Sequence, residues 1–105
     1  MFTPIHLAAF RGNLTLMRLL RRHGADVFES AADGINMLHM ATQGDSPVVI
    51  VNLLEKEMYV DMTDSNGRTP LHHAAIHGTE VAACYLLANG AKVNAQDNEG
   101  MTPLM

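Results

Sequence analysis

The stretch TPLHHAA at residues 69–75 has the sequence of a helix start. Thr69 is a suitable N-cap, because its hydroxyl can accept a hydrogen bond from an amide of the first turn. Pro70 then falls at the first helical position, where the missing N–H group costs nothing. His72 stands three residues after the cap, where a capping box places the reciprocal side chain. The stretch therefore predicts a short helix that begins at Pro70.

Related stretches recur along the whole chain. They are TPIHLAA at 3–9, NMLHMA at 36–41 and TPL at 102–104. Together with the stretch at 69–75 they begin at residues 3, 36, 69 and 102, so every interval is 33 residues. A strict period of this length predicts a repeat protein, in which each unit packs on its neighbours.

These stretches resemble the ankyrin repeat, whose signature is T-P-L-H-x-A in a unit of 33 residues. Four other motifs agree in register, namely GADV at 24–27, DSNG at 64–67, GAKVN at 90–94 and DNEG at 97–100. The resemblance implies an all-α fold, an ankyrin-repeat solenoid of helix–turn–helix units joined by short β-hairpin loops. We expect a single ankyrin-repeat domain over 1–105, with repeats at 3–35, 36–68 and 69–101 and a truncated fourth repeat at 102–105.

The first unit should contain helices at residues 4–10 and 14–22. Both are too short to persist alone in water, so neighbouring elements must hold them. In the second helix the apolar residues follow the spacing of a helix face, and we expect them to point inward. These residues are Leu16, Met17, Leu19 and Leu20.

The middle unit departs most from the repeated pattern. Asp45 stands where the other units have a glycine between their helices, and we expect Gly44 beside it to supply the left-handed residue. Glu57 stands where Gly24 and Gly90 stand, and a left-handed conformation would cost a non-glycine residue about 1 kcal/mol. We therefore expect the middle unit to be the least stable part of the array.

Composition favours an intracellular domain. No apolar run is long enough to span a membrane, and a repeat that starts at residue 3 leaves no room for a signal peptide. Cys84 is the only cysteine, which excludes an internal disulfide and suits a reducing compartment. We expect an intracellular location, cytoplasmic or nuclear, no membrane contact by this segment, and a monomeric domain.

The net charge of −4 is unevenly distributed. Residues 1–25 contain four arginines and no acid, whereas the other residues contain three cations and eleven acids. The arginines form either a solvated helix face or a patch for an acidic partner. Nucleic-acid binding is not expected, because it requires a broader basic footprint.

No group of residues indicates catalysis or metal binding. The ankyrin resemblance gives the periodic histidines, His6, His39 and His72, a structural role in hydrogen bonds to the capping residue and the adjacent backbone. His73 and His77 have the i, i+4 spacing of two metal ligands, but no third ligand stands nearby in a matching unit. We therefore expect no cofactor, no metal and no enzymatic activity in this chain.

The surface is where we expect function. The resemblance implies a curved stack in which the hairpin tips and the ends of the first helices line a concave side and contact a protein partner. Matched position by position, the candidate partner-binding residues are Phe10, Arg11, Asp33, Ile35, Gln43, Asn66, Arg68, Ile76, His77, Glu99 and Met101. Aliphatic or aromatic anchors beside arginine are a typical composition for binding hot spots.

Three functions are compatible with this surface. The first is a non-catalytic scaffold that binds a protein partner through its concave face. The second is the substrate-recruiting ankyrin region of a larger enzyme, because residues 43–45 and 94–100 are similar to arrays that precede the membrane domain of some palmitoyltransferases. The third is a structural spacer with no partner. Because solenoids need polar terminal repeats, we also expect this chain to be a segment of a longer array.

Overall fold

The computed structural model describes residues 2–56 and 58–104, so the expectation at Glu57 lies outside the described residues. Within these ranges the chain forms six α-helices and no β-strand, which confirms the all-α fold. The helices are α1 Pro4–Phe10, α2 Leu14–Arg22, α3 Met37–Gln43, α4 Pro47–Glu55, α5 Pro70–His77 and α6 Glu80–Ala88. The bounds expected for the first two helices are confirmed.

The first helix of each unit begins at a capped residue. Thr3, Asn36 and Thr69 each accept a hydrogen bond from the N–H group three residues further on. At Asn36 and Thr69 the backbone N–H of the cap donates in return to Nδ1 of the histidine at that third position, which completes the capping box. These helices begin at residues 4, 37 and 70, so the local capping signals set the 33-residue period of the structure.

The helices pack in two layers. One layer contains α1, α3 and α5 side by side, and in the other α4 packs against α6, while α2 packs on α1. The middle unit lies deepest: residues 37–42 of α3 are all buried, and Val49, Ile50 and Leu53 of α4 are fully covered. Burial of this kind is the main source of stability for such short helices. The expectation that the middle unit is the weakest therefore finds no support in its packing.

The apolar face of α2 is only partly covered, contrary to expectation. Met17 is buried and Leu20 is half-buried, but Leu16 and Leu19 are exposed. Val49 occupies the position of Leu16 in the next unit, and it is 0% exposed against 38% for Leu16. Val49 is covered because α4 has a unit on each side. Among the described residues, no helix packs over the Leu16 side of α2.

The turn between α3 and α4 also differs from the expectation. Gly44 has a right-handed backbone, with φ −82°, and Asp45 is the left-handed residue, with φ 53°. Gly44 is needed for another reason, because a Cβ atom there would collide with the carbonyl oxygen of Phe10. The close approach of these two backbones sets the spacing of α1 and α3.

No helix in the described parts of the chain has both the length and the apolar character needed to cross a lipid bilayer.

Candidate functional site

The loops that precede each first helix carry most of the candidate residues, and they lie in a row. Their tips are joined by backbone hydrogen bonds. The Ser65 N–H donates to the Asp33 carbonyl over 2.9 Å, and the Asn98 N–H donates to the Asn66 carbonyl over 2.9 Å. The row therefore runs along the stack and gives a partner one continuous edge.

A single aspartate shapes each of the last two hairpins. The Asp64 Oδ1 accepts hydrogen bonds from the N–H groups of Asn66 and Arg68, at 2.9 and 3.0 Å. Asp97 does the same for the two residues at matching positions in the last hairpin, both at 2.9 Å. Ala31 occupies this position in the first hairpin, and its side chain has no hydrogen-bond acceptor. Residues 32–34 form a 3-10 turn there.

The periodic histidines connect the first helices to these loops, as the family resemblance implied. The Nε2–H group of His39 donates to the Arg68 carbonyl over 2.9 Å, and that of His72 donates to the Met101 carbonyl over 2.8 Å. The Nε2–H group of His6 donates instead to the backbone carbonyl of Glu29, six residues before the matching position. The first loop therefore differs from the others in the residue that reaches the periodic histidine.

Ten of the eleven candidate residues have exposed or half-buried side chains. The end of the first helix presents Phe10 in unit 1, Gln43 in unit 2 and Ile76 in unit 3, and Ile76 is 57% exposed. Beside them, Arg11 and His77 are exposed. At the loop tips Asp33, Asn66 and Glu99 are exposed, Met101 is exposed next to them, and Arg68 is half-buried.

Ile35 is the exception, and the expectation that it serves as an exposed anchor is wrong. Its side chain is only 9% exposed and belongs to the hydrophobic core. The Ile35 carbonyl accepts from the Ala31 N–H, a bond that the other two hairpins also make, whereas the Ile35 N–H donates to the Ala32 carbonyl and not to an aspartate. The apolar side chain at this position packs into the core just before the helix cap.

The structure brings three of the candidates together. Arg68, Ile76 and Met101 line a pocket of about 220 Å³ between the end of α5 and the last hairpin. The guanidinium of Arg68 is held there by Asp97, with 3.5 Å between Nε and Oδ2. The pocket therefore offers an aliphatic wall, a thioether and an oriented cation. None of the four candidates of the first unit lines it; these are Phe10, Arg11, Asp33 and Ile35.

A buried polar cluster that the sequence did not reveal lies beneath this row. His73 donates from Nε2 to the Asp64 Oδ2 over 2.8 Å and accepts at Nδ1 from the Gln43 amide over 3.2 Å. The ring of His39 packs edge-on against that of His73, with 4.7 Å between centroids. The cluster joins unit 2 to unit 3. In the sequence, the only sign of this cluster is His73, the extra histidine that directly follows the periodic His72.

Burial controls the ionisation of this cluster. Burial, with a smaller contribution from the neighbouring His73, lowers the pKa of His39 to about 4. Burial also lowers the pKa of His73, although its hydrogen bond to Asp64 opposes this. Burial raises the pKa of the Asp64 carboxyl, but hydrogen bonds from His73 and from two backbone N–H groups outweigh it, and the net pKa is lowered. Both histidines are therefore neutral near pH 7 beside a charged aspartate.

His39, Asp64 and His73 also have ligand atoms within 4.8 Å of one another, which is close enough for a metal ion. Their hydrogen bonds oppose that use. His39 accepts from the Asn36 N–H at Nδ1 and donates at Nε2, and both ring nitrogens of His73 are occupied. An ion would have to displace the helix cap or the hairpin. The arrangement acts as a closed hydrogen-bond network that holds two units together.

Six short helices, stacked as pairs with a 33-residue interval and joined by a row of hairpin tips, define a helical repeat protein. Comparison with known families gives the particular one. The family model for ankyrin repeats in three copies matches residues 49–105, and the single ankyrin-repeat model matches residues 2–31. The chain belongs to the ankyrin-repeat family, and ankyrin repeats are non-catalytic protein-interaction modules.

Its relatives are long proteins of different kinds. The chain is 35% identical to palmitoyltransferase AKR1 of Lachancea kluyveri, over 97% of this chain and 14% of that protein. It is 36% identical to a transient receptor potential cation channel subfamily A member 1 homolog of Caenorhabditis elegans, over 97% of the chain and 8% of that protein. It is also 36% identical to human SH3 and multiple ankyrin repeat domains protein 2, over 93% of the chain and 5% of that protein. The chain thus spans a small part of each relative.

Proposed function

We propose that this chain binds a protein partner along the row of hairpin tips and first-helix ends. The observation that carries the proposal is the pocket formed by Arg68, Ile76 and Met101. An exposed aliphatic side chain beside an oriented arginine has the composition of a binding hot spot. Nothing in the packing of the units requires Ile76 to be apolar, since its side chain is 57% exposed.

The ends of the row extend this surface. Phe10 and Arg11 of unit 1 supply a second aromatic and cationic pair, and Asn66 and Glu99 supply polar groups at the rim. Interfaces with an apolar centre and a polar rim are typical of specific protein recognition. The partner should therefore present an apolar side chain to the pocket and an acidic group to Arg68.

The relatives support a recognition role more than any one activity. They include a palmitoyltransferase, a channel homolog and a multiple-ankyrin protein, and all are similar to this chain over its ankyrin repeats. A substrate-recruiting role within a larger enzyme is a special case of protein binding, and the relatives do not favour it over the general role, because the channel homolog is as similar to this chain as the palmitoyltransferase is.

The experiment starts with identification of a partner by affinity capture on the immobilised chain. Affinity and melting temperature are then measured for Ile76→Ala. We expect a loss of about 1–3 kcal/mol of binding free energy with an unchanged melting temperature, because the side chain is exposed. The matched control is Val48→Ala. It truncates an equally exposed aliphatic residue, 59% exposed on α4, and should leave affinity unchanged.

A second variant separates recognition from folding. His72→Ala removes hydrogen bonds to the Thr69 cap and the Met101 carbonyl, so it should lower the melting temperature. If Ile76→Ala binds as tightly as the parent chain, the row is not the binding surface. If the immobilised chain retains no protein at all, the chain behaves as a spacer.

A further inference from the structure

Three arginines of unit 1 lie together on α2, in the layer opposite the row of first helices. Arg18, Arg21 and Arg22 line an open pocket of about 520 Å³ with the residues that follow the helix, among them Asp26 and Phe28. Phe28 is 51% exposed. We call Arg18, Arg21, Arg22 and Phe28 the basic patch.

The fold does not require the three arginines, as the other units show. At the position of Arg18 they carry Val51 and Cys84. At the position of Arg21 they carry Leu54 and Leu87. The position of Arg22 holds an acid in unit 2 and an alanine in unit 3. The positive charge is therefore a property of one unit and not of the scaffold.

Phe28 breaks the same internal pattern. Its counterparts are Asp61 and Asn94. In unit 2 this position has a clear structural use, because the Asp61 carboxylate accepts a hydrogen bond from the Lys92 N–H over 3.2 Å. Unit 1 gives up that bond and exposes an aromatic ring beside the arginines instead. An exposed aromatic side chain next to arginine is a common element of recognition surfaces.

The charges of the patch have no partner within the described residues. The salt bridge found there joins Arg68 to Asp97, and Asp64 pairs with the neutral ring of His73, so no carboxylate lies within 4.0 Å of a patch guanidinium. Asp26 lines the same pocket, but its Oδ1 accepts from the Phe28 N–H over 2.9 Å. The helix dipole favours cations in the last turn only modestly, and it does not account for Arg18 at mid-helix.

We propose that the basic patch binds an acidic peptide segment of a protein partner. Guanidinium groups bind carboxylates in a bidentate fashion, and Phe28 offers an apolar contact beside them. The footprint favours a peptide over a membrane or a nucleic acid. A helix of nine residues spans only about 14 Å, and the rest of the chain has four cations against eleven acids, which would repel an extended polyanion.

The test uses a fluorescein-labelled glutamate-rich decapeptide with a central leucine, and measures anisotropy at two salt concentrations. The variant combines Arg18→Val with Arg21→Leu, the residues that unit 2 carries at these positions. We expect a loss of affinity of about tenfold or more, because charge-assisted hydrogen bonds are removed. Binding to the parent chain should weaken as salt rises. The matched control combines Lys56→Ala with Lys92→Ala, which removes two charges elsewhere, and should change affinity less than about twofold.

A second variant guards against misfolding of the first. Phe28→Asp gives unit 1 the residue of unit 2 at an exposed position, so it should leave the melting temperature unchanged and weaken binding. The proposal is overturned if both variants bind the peptide as tightly as the parent chain. It is also overturned if a glutamine version of the peptide binds equally well, or if vesicles containing phosphatidylserine bind to the patch and the peptide does not.

Discussion

The two interfaces between successive units are built from different interactions. Units 1 and 2 meet through apolar packing of α1 on α3 and one backbone bond between hairpin tips. Within the described residues, no side chain of either unit hydrogen-bonds the other. Units 2 and 3 are joined by apolar packing and by polar side chains as well: Asp45 accepts from the Ala82 N–H, Asp61 from the Lys92 N–H, and Gln43 donates to His73.

Some residues of the middle unit that depart from the repeated sequence make contacts with unit 3, as Asp45 shows. Asp45 replaces a glycine and adopts a left-handed backbone with φ 53°. In return its carboxylate caps α6, over 2.7 Å to the third residue of that helix, where Thr79 makes no capping bond with its side chain. A local irregularity in one unit is thus a specific connection to the next. Because side-chain hydrogen bonds cross the second interface, we expect it to be more sensitive to single substitutions than the first.

The substitution that should weaken the interface between units 2 and 3 most is Asp64→Ala. The change removes the acceptor of two hairpin N–H groups and of the buried His73 Nε2–H. We expect the free energy of unfolding to fall by about 3–5 kcal/mol, because several buried donors lose their partner at once. Chemical denaturation measures it. Asp97→Ala is the control and should cost less, since the residues around it are exposed; an equal loss at both positions would contradict the special role of the buried network.

Lowering the pH should have the next largest effect on the free energy of unfolding, and it should act on the same interface between units 2 and 3. His39 has a pKa of about 4 in the folded chain and about 6.5 when unfolded. The unfolded state therefore binds more protons between these values, and stability present above pH 6.5 is lost as the pH falls toward 4. The loss should reach about 3 kcal/mol from this residue, and the lowered pKa of His73 adds to it in the same direction.

Denaturation midpoints measured at pH 7, 6, 5 and 4 test this dependence. His39→Gln is the informative comparison, because glutamine suits the third position of a capping box and does not titrate. Its stability should vary less with pH than that of the parent chain. Parallel curves for the two proteins would show that His39 is not the sensor.

Substitutions at Asp45 should have a smaller effect on stability. Two of them separate the contribution of the cap on α6 from the cost of the left-handed backbone. Asp45→Ala removes the cap from α6 and keeps the left-handed strain, so we expect a loss of about 1–2 kcal/mol. Asp45→Gly removes the same cap and relieves the strain, which should restore about 1 kcal/mol. Thermal and chemical unfolding of both variants measure the difference. If alanine proves no worse than glycine here, the backbone is not strained in the way the structure indicates.

The smallest change should make the first hairpin resemble the others. Ala31→Asp introduces the residue that Asp64 and Asp97 provide elsewhere, with an oxygen for the N–H groups of residues 33 and 35. We expect a gain of about 0.5–1 kcal/mol, because the 3-10 turn must rearrange to accept the new bonds. Hydrogen exchange of those two amides should slow together with the gain. Ala31→Asn is a matched control that keeps an acceptor without the charge.

Local rules made much of this fold predictable. The caps at Thr3, Asn36 and Thr69, two of them followed by proline, set where the first helices begin. The period then placed the remaining helices. These signals are predictable because they act within four residues of the chain, where steric and hydrogen-bonding preferences are strong.

Contacts between units were not predictable in this way. The Asp45 carboxylate accepts from the Ala82 N–H, 37 residues further along the chain. No local pattern in the sequence around Asp45 indicates this partner. Leu16 looked like a core residue because its spacing is helical, and only the arrangement of neighbours decides that it is exposed while Val49 is covered. Ile35 was assigned to the surface from its position in the repeat, and only its contacts in the folded chain show that it belongs to the core. For the remaining candidate residues the sequence predicts a position on the row, and binding itself stays a prediction.

The bonds between hairpin tips have a consequence for how such a surface can evolve. The carbonyls of Asp33 and Asn66 hold the neighbouring tips through backbone N–H groups, while the side chains of both residues are exposed. The two hydrogen bonds therefore use neither side chain, but the left-handed backbone of Asp33, with φ 60°, favours aspartate, asparagine or glycine at that tip. Mutation can sample more side chains at position 66 than at position 33 while the bonds that align the tips are kept.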